Sequence, residues 1–220
     1  DMPDIDYLLI SHDHWDHLDY ATATALRSKV GQVVCPLGVG AHFEAWGYGK
    51  ETVFEGDWYS VLEGKGGFAI HILPARHFSG RSLTRNKTLW AGFALVTPER
   101  RIFFSGDSGY GKHFAEIGAR FGGFDLAMLD CGQYDENWRY VHMMPEDTAQ
   151  AAEDLRARAL LPGHVGKFAI AYHTWDDPFK RIVAASRGKP YRLLLPLIGE
   201  PVVLPIASDG ESLRWWEAGR

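Results

Sequence analysis

The chain has 220 residues, a net charge of −5 and charges mixed along its length, so no basic stripe is available for a nucleic-acid backbone and no nucleic-acid partner is expected. With 46% hydrophobic residues it can bury a substantial core, yet no apolar run approaches the roughly 18 residues of a membrane span. Cys35 and Cys131, the only cysteines, sit in strand-like settings, which argues against a disulfide scaffold and for a reducing compartment, the cytoplasm.

In chain order, IDYLLI (5–10) is a continuous apolar run of strand length, as expected for a strand covered on both faces. YATATALRSKV (20–30) reads as a helix that stops near Gly31, QVVCPL (32–37) as a strand and VGAHFEAW (39–46) as a short helix. TVFEGDWYSVLE (52–63) and FAIHILPA (68–75) read as strands separated by the EGKGG turn. LWAGFALV and RRIFFSGD flank TPER as a hairpin would. YGKHFAEIGARF (110–121) is helical and FDLAMLDC (124–131) a strand. PEDTAQAAEDLRARA (145–159) is the clearest helix, with Pro145 at its first position, Glu146 and Asp147 in its first turn, and Arg156 and Arg158 in its last. ALLPGH (159–164) is a strand, DDPFKRIVAAS repeats the proline-start helix, and the tail from Tyr191 to Glu217 reads as short strands. Strands alternating with helices give one α/β domain over residues 1–220.

The chemistry is concentrated in SHDHWDHLD, Ser11 to Asp19, where three histidines and three aspartates follow the first strand. His12 and His14 are two apart and leave an extended segment on the same side, with Asp16 and His17 following where the chain bends toward a helix. Two imidazoles converging on one ion, then a carboxylate and a third imidazole, form a donor set for zinc, with manganese and iron as the other occupants. The alternative is a solvated polar loop, but open α/β sheets bind ligands where this motif lies, at the carboxyl end of a strand. His77 in LPARH, Asp107 in FFSGDSG and His164 in LLPGH also follow apolar runs and are the candidates to complete the site.

The order HxHxDH, then His77, Asp107 and His164, resembles the metallo-β-lactamase superfamily. PARHFSGRSLTRNKTLWAGF, FFSGDSGY, HMMPEDTAQA and LPGHVGKFAIAYHTWDDP resemble, more narrowly, its branch of N-acyl phosphatidylethanolamine-hydrolysing phospholipase D and ascorbate-phosphate lactonase. The resemblance implies an αββα sandwich with two divalent metals at one edge of its sheets. His12, His14 and His77 would hold one metal; Asp16, His17 and His164 the other; Asp107 would bridge them. In that family a block of strands precedes HxHxDH, whereas eleven residues do here, so the sandwich is expected to lack its N-terminal strands, which lie upstream or on a partner fragment.

The expected nucleophile is a metal-bridging hydroxide, oriented by Asp16 between metals spaced by Asp107. His142, just before a helix start, resembles a family position next to the substrate phosphate; a capping or surface role is its alternative. Tyr134 and Arg81 are further candidates for substrate contact; His173 is a candidate for support behind the ligands, with a surface role beside a helix as its equal alternative. His42, His71 and His113 are read as structural and the eight tryptophans as core. The expected activity is phosphodiester hydrolysis of the phospholipase D type, on a small-molecule or lipid substrate, with association at a membrane surface a further expectation. A lactonase or other ester hydrolase, and a non-catalytic metal-binding protein, are the alternatives.

Overall fold

A computed structural model describes residues 2–81, 83–166, 170–205 and 214–217. Two compact units succeed one another along the chain, Asp1–Pro98 and Glu99–Arg220.

In the first unit, β1 (Ile5–Leu9) pairs in parallel with β2 (Val30–Pro36), and β2 with β3 (Val53–Gly56). The crossover is α1 (Tyr20–Leu26), opened by Asp19, whose carboxylate accepts the Thr22 N–H at 2.7 Å. Between β2 and β3 lies α2 (Gly40–Ala45). Leu18, Ala23, Val33, Cys35, Phe43 and Tyr48 form the core that joins these helices to the strands. β4 (Val61–Glu63), β5 (Ala69–Leu73) and β6 (Gly92–Val96) form an antiparallel ribbon in which Ile72 faces Phe93 and Leu73 faces Gly92.

The second unit is a parallel α/β layer. β7 (Arg101–Phe104), β8 (Leu126–Asp130), β9 (Ala159–Gly163) and β10 (Arg192–Leu193) stand side by side in that order. The helices α3 (His113–Phe121), α4 (Pro145–Asp154) and α5 (Asp177–Ala185) make the crossovers. Parallel strands joined by helices are covered on both faces, which is why LAMLD and ALLPG are almost wholly buried. Gly118 lets α3 close on α4: a Cβ there would stand 2.2 Å from the Asp154 carbonyl oxygen. No helix among the described residues is long and apolar enough to cross a membrane.

Several boundaries differ from expectation. α1 ends at Leu26, because Val30 already belongs to β2. The 52–63 run is two strands, β3 and β4, which pair with different partners; the chain turns between them at Gly56–Ser60, where the Ser60 N–H donates to the Asp57 carbonyl. α4 stops at Asp154: Arg156 takes a positive φ of 53° and Arg158 already pairs beside Phe124, so neither arginine closes the helix. Of the tail, β10 is the only strand among the described residues, Trp215–Glu217 form a 3-10 turn, and 206–213 lie outside the described residues. Only Trp216 of the eight tryptophans is buried. The indole N–H groups of Trp58, Trp90, Trp138 and Trp215 donate to the carbonyls of Trp90, Ala75, Gln133 and Leu195, so these rings staple loops rather than fill the core.

Candidate metal-binding site

In the first unit the site begins where β1 ends. The Ala91 N–H donates to the Ser11 carbonyl at 2.8 Å, and the Trp90 indole holds Ala75 at 3.0 Å, so the Ser11–Asp19 loop and the His77 segment are fixed beside each other. His12 Nε2 lies 2.9 Å from His14 Nδ1, and His77 Nε2 lies 3.1 Å from that same nitrogen. One ligand atom from each of the three falls within 4.8 Å of the other two. Three imidazole nitrogens on a tetrahedral zinc with bonds of ~2.05 Å stand about 3.3 Å apart, so these separations fit a single divalent ion. The Ser11 hydroxyl reaches His12 Nδ1 at 3.0 Å and leaves Nε2 directed at the cluster. Burial, then the neighbouring His17, His77 and His14, hold His12 well below the usual imidazole range, and a neutral ring is the form that ligates. His17 Nε2 lies 3.4 Å from the Asp16 carboxylate, and the His17 ring lies 4.3 Å from that of His12.

Asp13, not singled out from the sequence, is buried within the motif. Its carboxylate accepts the Gly80 N–H at 2.7 Å and stands 3.8 Å from His42. Arg81 is occupied in the same place. Its guanidinium donates to the carbonyls of Asp13 (3.0 Å) and Leu18 and lies 4.0 Å over the Trp15 ring. The sequence suggested substrate contact; the structure gives Arg81 the work of strapping down the histidine loop.

In the second unit the carboxyl ends of three adjacent strands converge. Asp107 follows β7, Asp130 ends β8 and His164 follows β9; with His142 they bring four ligand atoms within 4.8 Å of one another. The Ser105 hydroxyl accepts the Asp130 N–H at 2.9 Å, and the Ser108 N–H donates to Asp130 Oδ2 at 3.2 Å, so the Asp107 loop is tied to the end of β8 on both sides. His142 Nδ1 stands 2.9 Å from Asp130 Oδ2, and His164 Nδ1 lies 3.7 Å from both Asp107 and Asp130. Burial opposes ionisation of both partners, but Asp130, and then Asp107, hold His142 above the usual imidazole range. His142 and then His164 hold the Asp130 carboxyl below the usual carboxylate range. Asp130 is the residue that sequence reasoning missed; its signal is an aspartate at a strand's carboxyl end before a small residue, the setting of Asp107.

Gly132 permits the close approach that places His164: a Cβ there would lie 2.0 Å from the His164 carbonyl oxygen. Gln133, at a positive φ of 60°, accepts the Ile170 and Ala171 N–H groups through Oε1 at 2.7 and 3.1 Å. His173 accepts the Gln133 N–H at 2.8 Å and stacks on Tyr134 with ring centroids 4.3 Å apart. Tyr134 itself is 4% exposed and its hydroxyl donates to Asp177, which leaves it packing work rather than the substrate contact expected of it. Burial pushes the thiols of Cys35 and Cys131 up, so neither supplies a thiolate nucleophile.

A family model described as a beta-lactamase superfamily domain matches residues 1–165. An uncharacterised protein of Mycobacterium tuberculosis is 42% identical over 205 residues, which is 91% of this chain and 55% of that protein. The mitochondrial N-acyl-phosphatidylethanolamine-hydrolyzing phospholipase D of Saccharomyces cerevisiae is 34% identical over 212 residues, 91% of this chain and 45% of that enzyme. This chain therefore spans about half the length of the curated relatives it matches. Among solved structures, Igni18, a metallo hydrolase from the archaeon Ignicoccus hospitalis, has a TM-score of 0.67 at 17% identity, over 86% of this chain and 75% of that one; the likeness is one of fold.

Proposed function

Because the chain belongs to the beta-lactamase superfamily and carries the metallo-β-lactamase fold, we propose that it is a metal-dependent hydrolase that cleaves phosphodiesters with two divalent ions bound, zinc first. The observation that carries the reading is the convergence of His12, His14 and His77 on one point. The kinship with the yeast phospholipase D supports phosphodiesters as the substrate class. Asp16, His17 and His164 are the proposed ligands of the second ion, and Asp107 of both, on the strength of their motifs.

Bound metals would supply a nucleophile drawn from water near neutral pH and offset charge on the attacked phosphorus. The protein's own groups do the rest. Ser11 sets the tautomer of His12, and Arg81 keeps the loop of His12, His14 and Asp16 in one conformation. Asp130, 2.9 Å from His142 Nδ1, favours the protonated ring, and the Nε2 proton would be the one available to the leaving oxygen.

Zinc-loaded protein should contain two metals per chain by elemental analysis and hydrolyse bis(p-nitrophenyl) phosphate and N-acyl phosphatidylethanolamine; Asp107→Asn should abolish both activities. Turnover of lactones and carboxylic esters alone would replace the phosphodiester reading with that of a lactonase. Two bound metals without turnover of any ester would leave a metal-holding protein.

A further inference from the structure

The carboxyl ends of β7, β8 and β9 carry Asp107, Asp130 and His164; the amino ends form the opposite rim of the same sheet. Backbone hydrogen bonds fix what stands along that rim. The Asp125 N–H donates to the Arg101 carbonyl at 2.8 Å, the Arg158 N–H to Phe124 at 2.8 Å and the Arg192 N–H to Arg158 at 2.9 Å. Arg101, Asp125, Arg158 and Arg192 thus follow one another from strand to strand, about 4.8 Å per step. Arg100 and Arg156 join them around two adjoining cavities of about 120 and 200 Å³ that share Asp125 and Arg158. In a chain of net charge −5, five arginines line these cavities together with Asp125 and Glu99, and Arg100 Nη1 donates to the Glu99 carbonyl at 2.9 Å.

Helix-end compensation explains part of this row. α3 ends at this rim, and the Arg101 guanidinium donates to the carbonyl of Phe121, its last residue. It does not explain the others. Asp125 accepts the Arg101 N–H through Oδ2 at 2.9 Å and Arg158 Nη1 through Oδ1 at 3.1 Å; the Arg158 side chain is otherwise exposed, at the wall common to both cavities. Arg100 and Arg192 line the second cavity beside the apolar Ala159, Leu204 and Pro205. Gly122 and Gly123 line the first without side chains, and a Cβ on Gly123 would stand 2.8 Å from the Arg156 carbonyl oxygen. Planar guanidinium forks match phosphate oxygens two at a time.

We propose that this rim binds a small organic phosphate with a second anionic group. Its phosphate sits among Arg101, Arg156 and Arg158, its carbon part lies against Ala159, Leu204 and Pro205, and its second anion meets Arg100 and Arg192. The site lies at the ends of these strands opposite to Asp107, Asp130 and His164, so the hydrolase reading survives its failure.

Titration calorimetry of the metal-loaded protein with 3-phosphoglycerate, in about 0.15 M salt to screen diffuse attraction, tests it. One site per chain is expected, weakened about tenfold or more by Arg158→Ala and by Arg192→Ala, and only partly restored by lysine, which keeps the charge without the fork. Arg187→Ala, at an exposed arginine outside both cavities, should leave the affinity unchanged. Orthophosphate, lacking the carbon part and second anion, should bind at least about tenfold more weakly. Should Arg158→Ala not fold, Arg192→Ala and Arg158→Lys carry the same comparison. Equal losses in Arg187→Ala, affinity indifferent to Arg158 and Arg192, or binding of anionic vesicles without the soluble phosphate, each overturn the proposal.

Discussion

His142 Nδ1 lies 2.9 Å from Asp130 Oδ2, and the His142 ring stacks on His164 at 5.4 Å between centroids. The raised His142 value means that its pairing stabilises the fold fully below pH 6.5 and is lost as pH rises through the folded value. The lowered Asp130 value means the reverse: its contribution is present above the usual carboxylate value of 3.8 and lost as pH falls. In metal-free protein, Asp130→Asn should therefore cost about 3 kcal/mol between roughly pH 4 and 6.5. Urea unfolding of the two proteins across pH should show the gap shrinking on either side of that window. A gap independent of pH rules out the ion pair.

His77→Ala should remove about one metal ion per chain and lower hydrolysis by more than about 100-fold, since it takes away a ligand rather than a group behind one. In metal-free protein it also deletes one of the neighbours that hold His12 neutral, so the His12 ring should titrate closer to 6.5. Elemental analysis and ring proton signals in NMR read the two effects separately. Unchanged metal content would remove His77 from the ligand set.

Arg81 holds carbonyls of Asp13 and Leu18 and stacks on Trp15. Arg81→Ala is expected to weaken metal binding about 10–100-fold, measured by competition with a chelator. At saturating metal, KM should be unchanged. A raised KM with intact metal affinity would return Arg81 to the substrate.

Gly132→Ala places a methyl group 2.0 Å from the His164 carbonyl oxygen, a contact that only backbone movement relieves. A loss of about 3 kcal/mol in urea unfolding is expected. The displacement falls on a candidate ligand, so metal content should drop as well. Gly188→Ala, where the glycine has no neighbour within 4 Å, is the control and should cost about 1 kcal/mol or less from its positive φ alone.

Much of the candidate site was legible because its residues carry chemistry in places where a structural reason is hard to find. His77, Asp107 and His164 were legible as polar residues that follow apolar runs, and His12 and His14 by their spacing; the structure brings His77 to His12 and His14, and His164 to Asp107. Asp130 does not stand out in the sequence because LAMLDC continues an apolar run; its pairing with His142, from the loop before α4, exists only in the folded chain. The contacts of Arg81 with Asp13 and Leu18, and of Tyr134 with Asp177, join residues far apart in the chain and leave no mark in the sequence. Strand and helix identities followed from apolar runs, while α1 and α4 were drawn too long because residues such as Val30 and Ala157 favour no single state until a neighbouring strand claims them.

Ser105 and Ser108, on either side of Asp107, are both fastened to Asp130. These two fasteners gear the aspartate proposed for the ions to the carboxylate that charges His142, so neither can drift without dragging the other. A change that loosens either serine would therefore disturb a candidate metal ligand and the charge partner of His142 at one stroke.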